Sequence, residues 1–156
     1  MLKKYEILEH KADLKIRVFG KTKEGLFENA LIGMFEGARY EGKIKIQKPS
    51  LATARRGGRK RRSPLRPSKF KIKISSLDLP SLLVDFLSEA LYLCETKKLV
   101  FQKIKFERFS DNETEAILIG KPLKRMGVHI KGVTYHDLDI HQEKDGTWQT
   151  TILFDI

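Results

Sequence analysis

Leu14, Ile16 and Val18 alternate with Lys15, Arg17 and Phe19, which predicts a half-buried strand that Gly20 ends. Thr22 follows in the position of a helix N-cap, and Leu26, Phe27, Ala30, Leu31, Met34 and Phe35 recur at helical spacing until Gly37 stops them. Residues 43–47 read as a short strand, and Phe70, Ile72 and Ile74 restore strand alternation after a long interruption. Asp78 and Pro80 open a second helix whose stripe is Leu82, Leu83, Phe86, Leu87, Ala90 and Leu91. Both stripes have the same offsets, so strand, helix, strand occurs twice and hints at two related halves. Residues 98–109 and 114–121 read as a hairpin around Ser110-Asp111-Asn112, and 122–130 as irregular or a short turn of helix. Residues 133–141 and 148–155 read as a second hairpin around Lys144-Asp145-Gly146, where Asp-Gly is a strong turn signal. Trp148, Thr150, Ile152 and Phe154 share one face of the last strand, which puts Asp155 on the other. Two helices among hairpin-linked strands predict an α+β fold rather than a doubly wound sheet.

Charge changes the picture at one place. The net charge is +11, and the segment 51–67 carries +7 of it through Arg55, Arg56, Arg59, Lys60, Arg61, Arg62 and Arg66, leaving +4 for the rest. That segment is rich in Pro, Gly, Ser and Arg and has little apolar surface to offset the entropy of ordering it, so 50–68 reads as a mobile basic loop. Arginine-rich segments bind RNA phosphates, which makes Arg55, Arg56, Arg59, Lys60, Arg61 and Arg62 candidates for direct RNA contact; a solvated surface insertion is the other reading. No aromatic residue lies in the segment, so base stacking is unsupported there. No apolar run approaches the roughly 18 residues that span a bilayer. The start Met1-Leu2-Lys3-Lys4 lacks the apolar stretch of a secretory signal, and Cys94 is the only cysteine. These features predict a soluble cytoplasmic protein of one domain over 1–156.

The candidate chemistry lies at the two ends. Glu9-His10-Lys11-Ala12-Asp13 interrupts strand-like sequence, and Phe154-Asp155-Ile156 leaves a strand with no tail. If the carboxylates of Asp13, Asp155 and the chain end at Ile156 converge, they form an all-oxygen site for Ca²⁺, Mg²⁺ or Mn²⁺. A turn aspartate and an exposed penultimate acid are the plainer readings of the same residues. Glu9 could add an acceptor; His10 and His136 suit an outer position or a partner contact, because imidazole favours softer ions. His129 and His141 read as surface residues without a constellation. Cys94 continues the apolar stripe of the second helix and reads as core, with no base beside it to activate a thiolate.

Four segments carry a family resemblance: Tyr5-Glu6-Ile7-Leu8-Glu9-His10-Lys11-Ala12-Asp13; Gly33-Met34-Phe35; Leu82-Leu83-Val84-Asp85-Phe86-Leu87-Ser88-Glu89-Ala90-Leu91-Tyr92; and Lys131-Gly132-Val133-Thr134-Tyr135-His136 running on to Phe154-Asp155-Ile156. In this order and spacing the chain resembles the archease family over nearly its whole length, the basic segment excepted. The resemblance implies a strand-helix-strand-strand unit with a similar unit inserted. It implies no stand-alone catalysis. It implies activation of an RtcB-type tRNA-splicing RNA ligase, promoting guanylylation with GTP and repeated turnover, and in some members a chaperone or specificity-modulating role toward a tRNA cytosine methyltransferase. It also implies a metal site at Asp13, Asp155 and Ile156. The long connection 51–68 departs from the family pattern and leaves these motifs untouched. A metal-dependent hydrolase is a competing class, but the sequence has no Ser/His/Asp set, phosphate-cradling glycine loop or two-metal acidic cluster. A plain basic RNA-binding module is another.

Overall fold

The computed structural model describes residues 3–43 and 67–156, with the backbone alone at His10. The basic segment with Arg55, Arg56, Arg59, Lys60, Arg61 and Arg62, and most of the strand predicted at 43–47, lie outside the described residues. Strands β1 (Tyr5–His10) and β2 (Asp13–Gly20) form a tight antiparallel pair, and β2 pairs along its full length with β9 (Trp148–Asp155). Two short strands, β7 (Gly132–Val133) and β8 (His141–Gln142), pair with β9, which makes a five-stranded sheet among the described residues. Among the described residues the second sheet has four strands. Its centre is β6 (Glu113–Arg125), flanked by β4 (Ser68–Ser75) and β5 (Leu99–Phe109), with β3 (Glu41–Gly42) paired to the end of β6.

Helix α1 (Lys23–Gly37) begins at Thr22, whose Oγ1 accepts the Gly25 N–H at 2.9 Å. Helix α2 (Leu79–Lys97) begins at Asp78, whose Oδ1 accepts the Ser81 N–H at 2.9 Å, with Pro80 in the first turn. Each cap satisfies one of the N–H groups that a helix start leaves without a partner. Helix α1 packs against β2 of the first sheet and β5 of the second, so its burial runs almost all round from Leu26 to Phe35. Close approach demands Gly33: a Cβ there would lie 3.0 Å from Ile16 Cδ1 and 3.1 Å from Tyr5 Cγ. Helix α2 packs on β4, β5 and β6 and touches β7 and α1. One core results, in which Phe27 meets Phe86 at 5.5 Å and Phe109 edge-on at 5.0 Å. Cys94 lies in it, fully buried. Among the described residues no helix is long and apolar enough to cross a membrane.

The α+β class stands, as do both helices and both turns. Two local expectations are corrected. Residues 122–130 are not irregular from their start: β6 runs on through Pro122 to Arg125, because Leu99 pairs with Pro122, and Gly42 and Glu41 pair with Leu123 and Arg125. Pro122 lacks an N–H, but its carbonyl still accepts that of Lys43 at 2.7 Å, and it lies beside the register shift in the short β3–β6 pairing, a place that tolerates proline. The strand predicted over 133–141 is only its two ends, β7 and β8. Between them the chain turns outward, with Leu138 N–H donating to the Tyr135 carbonyl at 3.1 Å and Asp137 in the left-handed region at φ 51°.

Candidate functional site

The pairing of β2 with β9 decides where the acids meet. Asp13 is the register partner of Asp155, Leu14 of Phe154 and Ile16 of Ile152. Leu14, Ile16, Ile152 and Phe154 are fully buried on the inner face, so period two places Asp13 and Asp155 side by side on the outer face. Directly opposed residues of an antiparallel pair have Cβ atoms about 4.5–5.5 Å apart, and like charges there repel. Neither carboxylate has an ion-pair partner among the described residues. Gly132 pairs with Asp155 from the other side, and the Asp155 carbonyl accepts the Lys131 N–H at 2.7 Å, which fixes the end of β9. Ile156 is half-buried and packs against the core.

Beside the acidic pair lies a cleft of about 430 Å³, lined by Leu8, Glu9, Asp13, Lys15, Arg17, His136, Asp137, Thr151 and Leu153. Glu9 reaches it because the β1–β2 register shifts between Ile7 and Glu9, which pairs Glu9 with Lys15. His136 and Asp137 reach it because the segment between β7 and β8 turns outward. His136 is exposed, with Nε2 3.1 Å from Asp137 Oδ2. Arg17 Nη1 donates to Glu6 Oε1 at 2.8 Å, while its buried Nε has no partner among the described residues. Lys3, and after it Arg17, hold the Glu6 carboxyl below its ordinary range. The cleft thus combines three acids, two bases and one imidazole.

Of the residues singled out in the sequence, Asp13 and Asp155 are adjacent, and Glu9, Asp13 and His136 share the cleft. His10 pairs through its backbone with Leu14; its side chain is outside the described residues. Among the described residues no three His, Cys, Asp or Glu side chains gather closely enough to hold an ion. The side chains therefore offer two anionic ligands, and any further oxygens must come from the main chain or solvent. This donor set, all oxygen and unneutralised, fits a hard divalent cation and not a soft one. Lys15, Arg17 and Asp137 were missed. Lys15 and Arg17 were legible, since they follow Asp13 at i+2 and i+4 on the polar face of one strand. His141 also departs from expectation: its Nδ1 lies 3.1 Å from Asp139 Oδ2 and its Nε2 2.9 Å from Glu143 Oε1. The signal was the spacing Asp139-x-His141-x-Glu143.

Comparison with known proteins gives a consistent result. The sequence model of the Archease protein family matches residues 5–156. The protein archease of Methanosarcina barkeri is 35% identical over 162 residues, covering 99% of this chain and 97% of its own. That of Methanosarcina acetivorans is 36% identical with the same coverage. The solution structure of Methanobacterium thermoautotrophicum protein 1598 superposes with a TM-score of 0.65 at 23% identity, covering 99% of this chain and all (100%) of that one. The crystal structure of a Thermotoga maritima archease, described as a possible chaperone, gives 0.61 at 18% identity, covering 97% of this chain and 96% of that one. At these identities the two structures speak to the fold alone.

Proposed function

Since the chain belongs to the Archease protein family, we propose that it is a non-enzymatic activator of an RtcB-type RNA ligase, promoting the ligase's GTP-dependent guanylylation and repeated turnover in tRNA splicing and RNA repair. The observation that carries this reading is the Asp13–Asp155 cross-strand pair beside a cleft of mixed charge. Asp13, Asp155 and Ile156 would hold a divalent cation, Ca²⁺ in the first place. A bound cation supplies positive charge and free positions for oxygen ligands.

The chain's own residues do the rest. Lys15 and Arg17 line the cleft and present cationic side chains to a partner's anionic groups. His136 and Asp137 stand exposed at the rim, where a partner can contact them. An activator shifts a conformational equilibrium only by its differential affinity for the states involved. This protein therefore binds one nucleotide state of the ligase more tightly than the others.

The test is multiple-turnover RNA ligation by the cognate ligase with wild-type protein, with Asp13→Asn, and with nothing added. Stimulation by wild type and none by the variant is expected. No stimulation by correctly folded wild type, or equal affinity for the free, GTP-bound and guanylylated ligase, would overturn the reading.

A further inference from the structure

The second sheet has an outward face that the ligase reading does not use. Inward, β4, β5 and β6 contribute Ile72, Ala116 and Leu118 to the core, with Phe70, Ile104 and Phe106 packed against it. Outward, the register sets lysines in rows: Lys69 and Lys103 flank Ile119, and Lys71 and Lys105 flank Ile117. All four lysines are exposed and both isoleucines half-buried. Neighbouring strands lie about 4.8 Å apart and same-face residues about 6.8 Å apart along a strand, so the lysines form two tracks about 10 Å apart with an apolar trough between them.

The charge is not balanced from within. On an ordinary exposed sheet face, opposite charges pair across strands. That holds at one end, where Lys73 and Arg108 flank Glu115 and Arg108 Nε lies 3.5 Å from Glu115 Oε2. Toward the other end isoleucine replaces the acid on the central strand. Lys71 reaches Glu107 at 3.4 Å, while Lys69, Lys103, Lys105 and Lys121 have no ion-pair partner among the described residues. Lys121 then carries the surface into a second cleft of about 440 Å³, where Arg39, Lys43, Lys121 and Lys124 meet Glu36 and Glu41. Lysines on edge strands also discourage strand pairing between molecules. That role needs charge on β4 and β5, but it does not call for the unpaired Lys69–Ile119–Lys103 row, nor for cations continuing along β6.

We propose that this face, from the Lys71–Ile117–Lys105 row to the Lys121 cleft, binds the sugar–phosphate backbone of a folded RNA. The choice of RNA among polyanions rests on the ligase reading; the surface itself does not. Lysine is a hydrated point charge suited to phosphate. Among the described residues of this face no aromatic ring is offered outward: Phe70, Phe101 and Phe106 contact other rings in the core, and Tyr40 behind the cleft is buried. Bases are therefore not stacked, and contact is to backbone and shape, as for helical RNA. The isoleucines are recessed between lysine stems rather than raised, which is unsuited to insertion into a lipid surface.

The experiment uses the full chain without ligase. Fluorescence anisotropy measures binding of a labelled, folded tRNA transcript between 50 and 200 mM salt, for wild type and for the triple variant Lys69→Gln/Lys103→Gln/Lys121→Gln. These side chains are exposed, and unchanged circular dichroism and melting establish that the variant is folded. Losing three phosphate contacts makes the log–log salt slope shallower by about 2.7, so the variant's affinity falls about 40-fold less than that of wild type across this salt range. Equal affinity and slope in the two proteins would overturn the proposal, because the contacts would then lie elsewhere, as on the 51–67 arginines. So would phosphatidylserine vesicles or polyglutamate binding as tightly as RNA at equal charge. Loss of RNA binding in the variant with ligation still stimulated supports the surface and leaves the ligase reading standing. RNA binding by a wild type that stimulates no ligase supports the surface and removes only that reading.

Discussion

Asp13→Asn removes one charge from the opposed pair while keeping its size, and its effect on stability should reverse sign with calcium. At the roughly 5 Å separation of directly opposed residues, two unit charges repel by about 0.8 kcal/mol in water and about 3 kcal/mol at an effective dielectric constant of 20. Asp155 is exposed and Asp13 half-buried, so the lower figure governs, about 1 kcal/mol. In EDTA the variant should therefore melt about 2–4 °C above wild type, the shift that 1 kcal/mol gives a protein of this size. In calcium the order should invert. At a free concentration of one hundred times Kd, binding adds about 2.7 kcal/mol to wild type. That raises Tm by roughly 5–11 °C, and the variant stays where it was. Scanning calorimetry in EDTA and through a calcium titration reads both effects without any partner. A variant that melts below wild type in EDTA, or that still climbs with calcium, would show that these two side chains do not form a repelling pair that shares a cation.

Three further outcomes follow from buried or paired groups. Tyr40 is buried and its hydroxyl accepts the N–H of fully buried Ile130 at 3.0 Å, so Tyr40→Phe strands that donor and should cost about 1–3 kcal/mol in urea unfolding; no loss would mean that the N–H finds another acceptor. Burial, with Glu95 adding to it, pushes the Cys94 thiol up to about 11, so maleimide labelling at pH 8 should be slow in the native protein and should track global unfolding. The pKa of His141 is raised above 6.5, first by its hydrogen bond to Glu143 and then by Asp139. Its stabilisation is full below 6.5 and lost as pH rises through the raised value, a small effect at an exposed site. Ring-proton NMR should show His141 titrating above an unperturbed histidine, and His141→Gln should remove that pH dependence.

How legible each feature was depends on the range of the interaction that makes it. Thr22, Asp78 and Asp145-Gly146 act within a few residues, and the caps and turn they signal are present. The alternation Leu14-Ile16-Val18 and Thr150-Ile152-Phe154 told which face each strand buries, and so put Asp155 outward; the same period places Asp13 outward in the structure. That these two acids oppose each other depends on register between the chain's two ends, which no local pattern encodes. Residues 122–130 were misread because Pro122 is a local breaker, whereas the pairing with β3 and β5 that carries β6 past it is long-range. The segment between β7 and β8 was misread because Val133 and His141 both pair with β9 while the chain between them leaves it. That same excursion carries His136 to the cleft.

The two outward faces are therefore separable by mutation. Helix α1 lies against β2 on one side and β5 on the other, so the acidic pair on β2 and β9 and the lysine tracks on β4 and β5 belong to different sheets. Residues more than about 7–10 Å apart with no shared partner give nearly additive effects. Asp13→Asn combined with the triple lysine variant should lose calcium stabilisation as Asp13→Asn alone does, and should lose RNA affinity as the triple variant alone does. Coupling between the two losses beyond about 0.5 kcal/mol would mean that the faces communicate through α1, and that one surface serves both the ion and the polyanion.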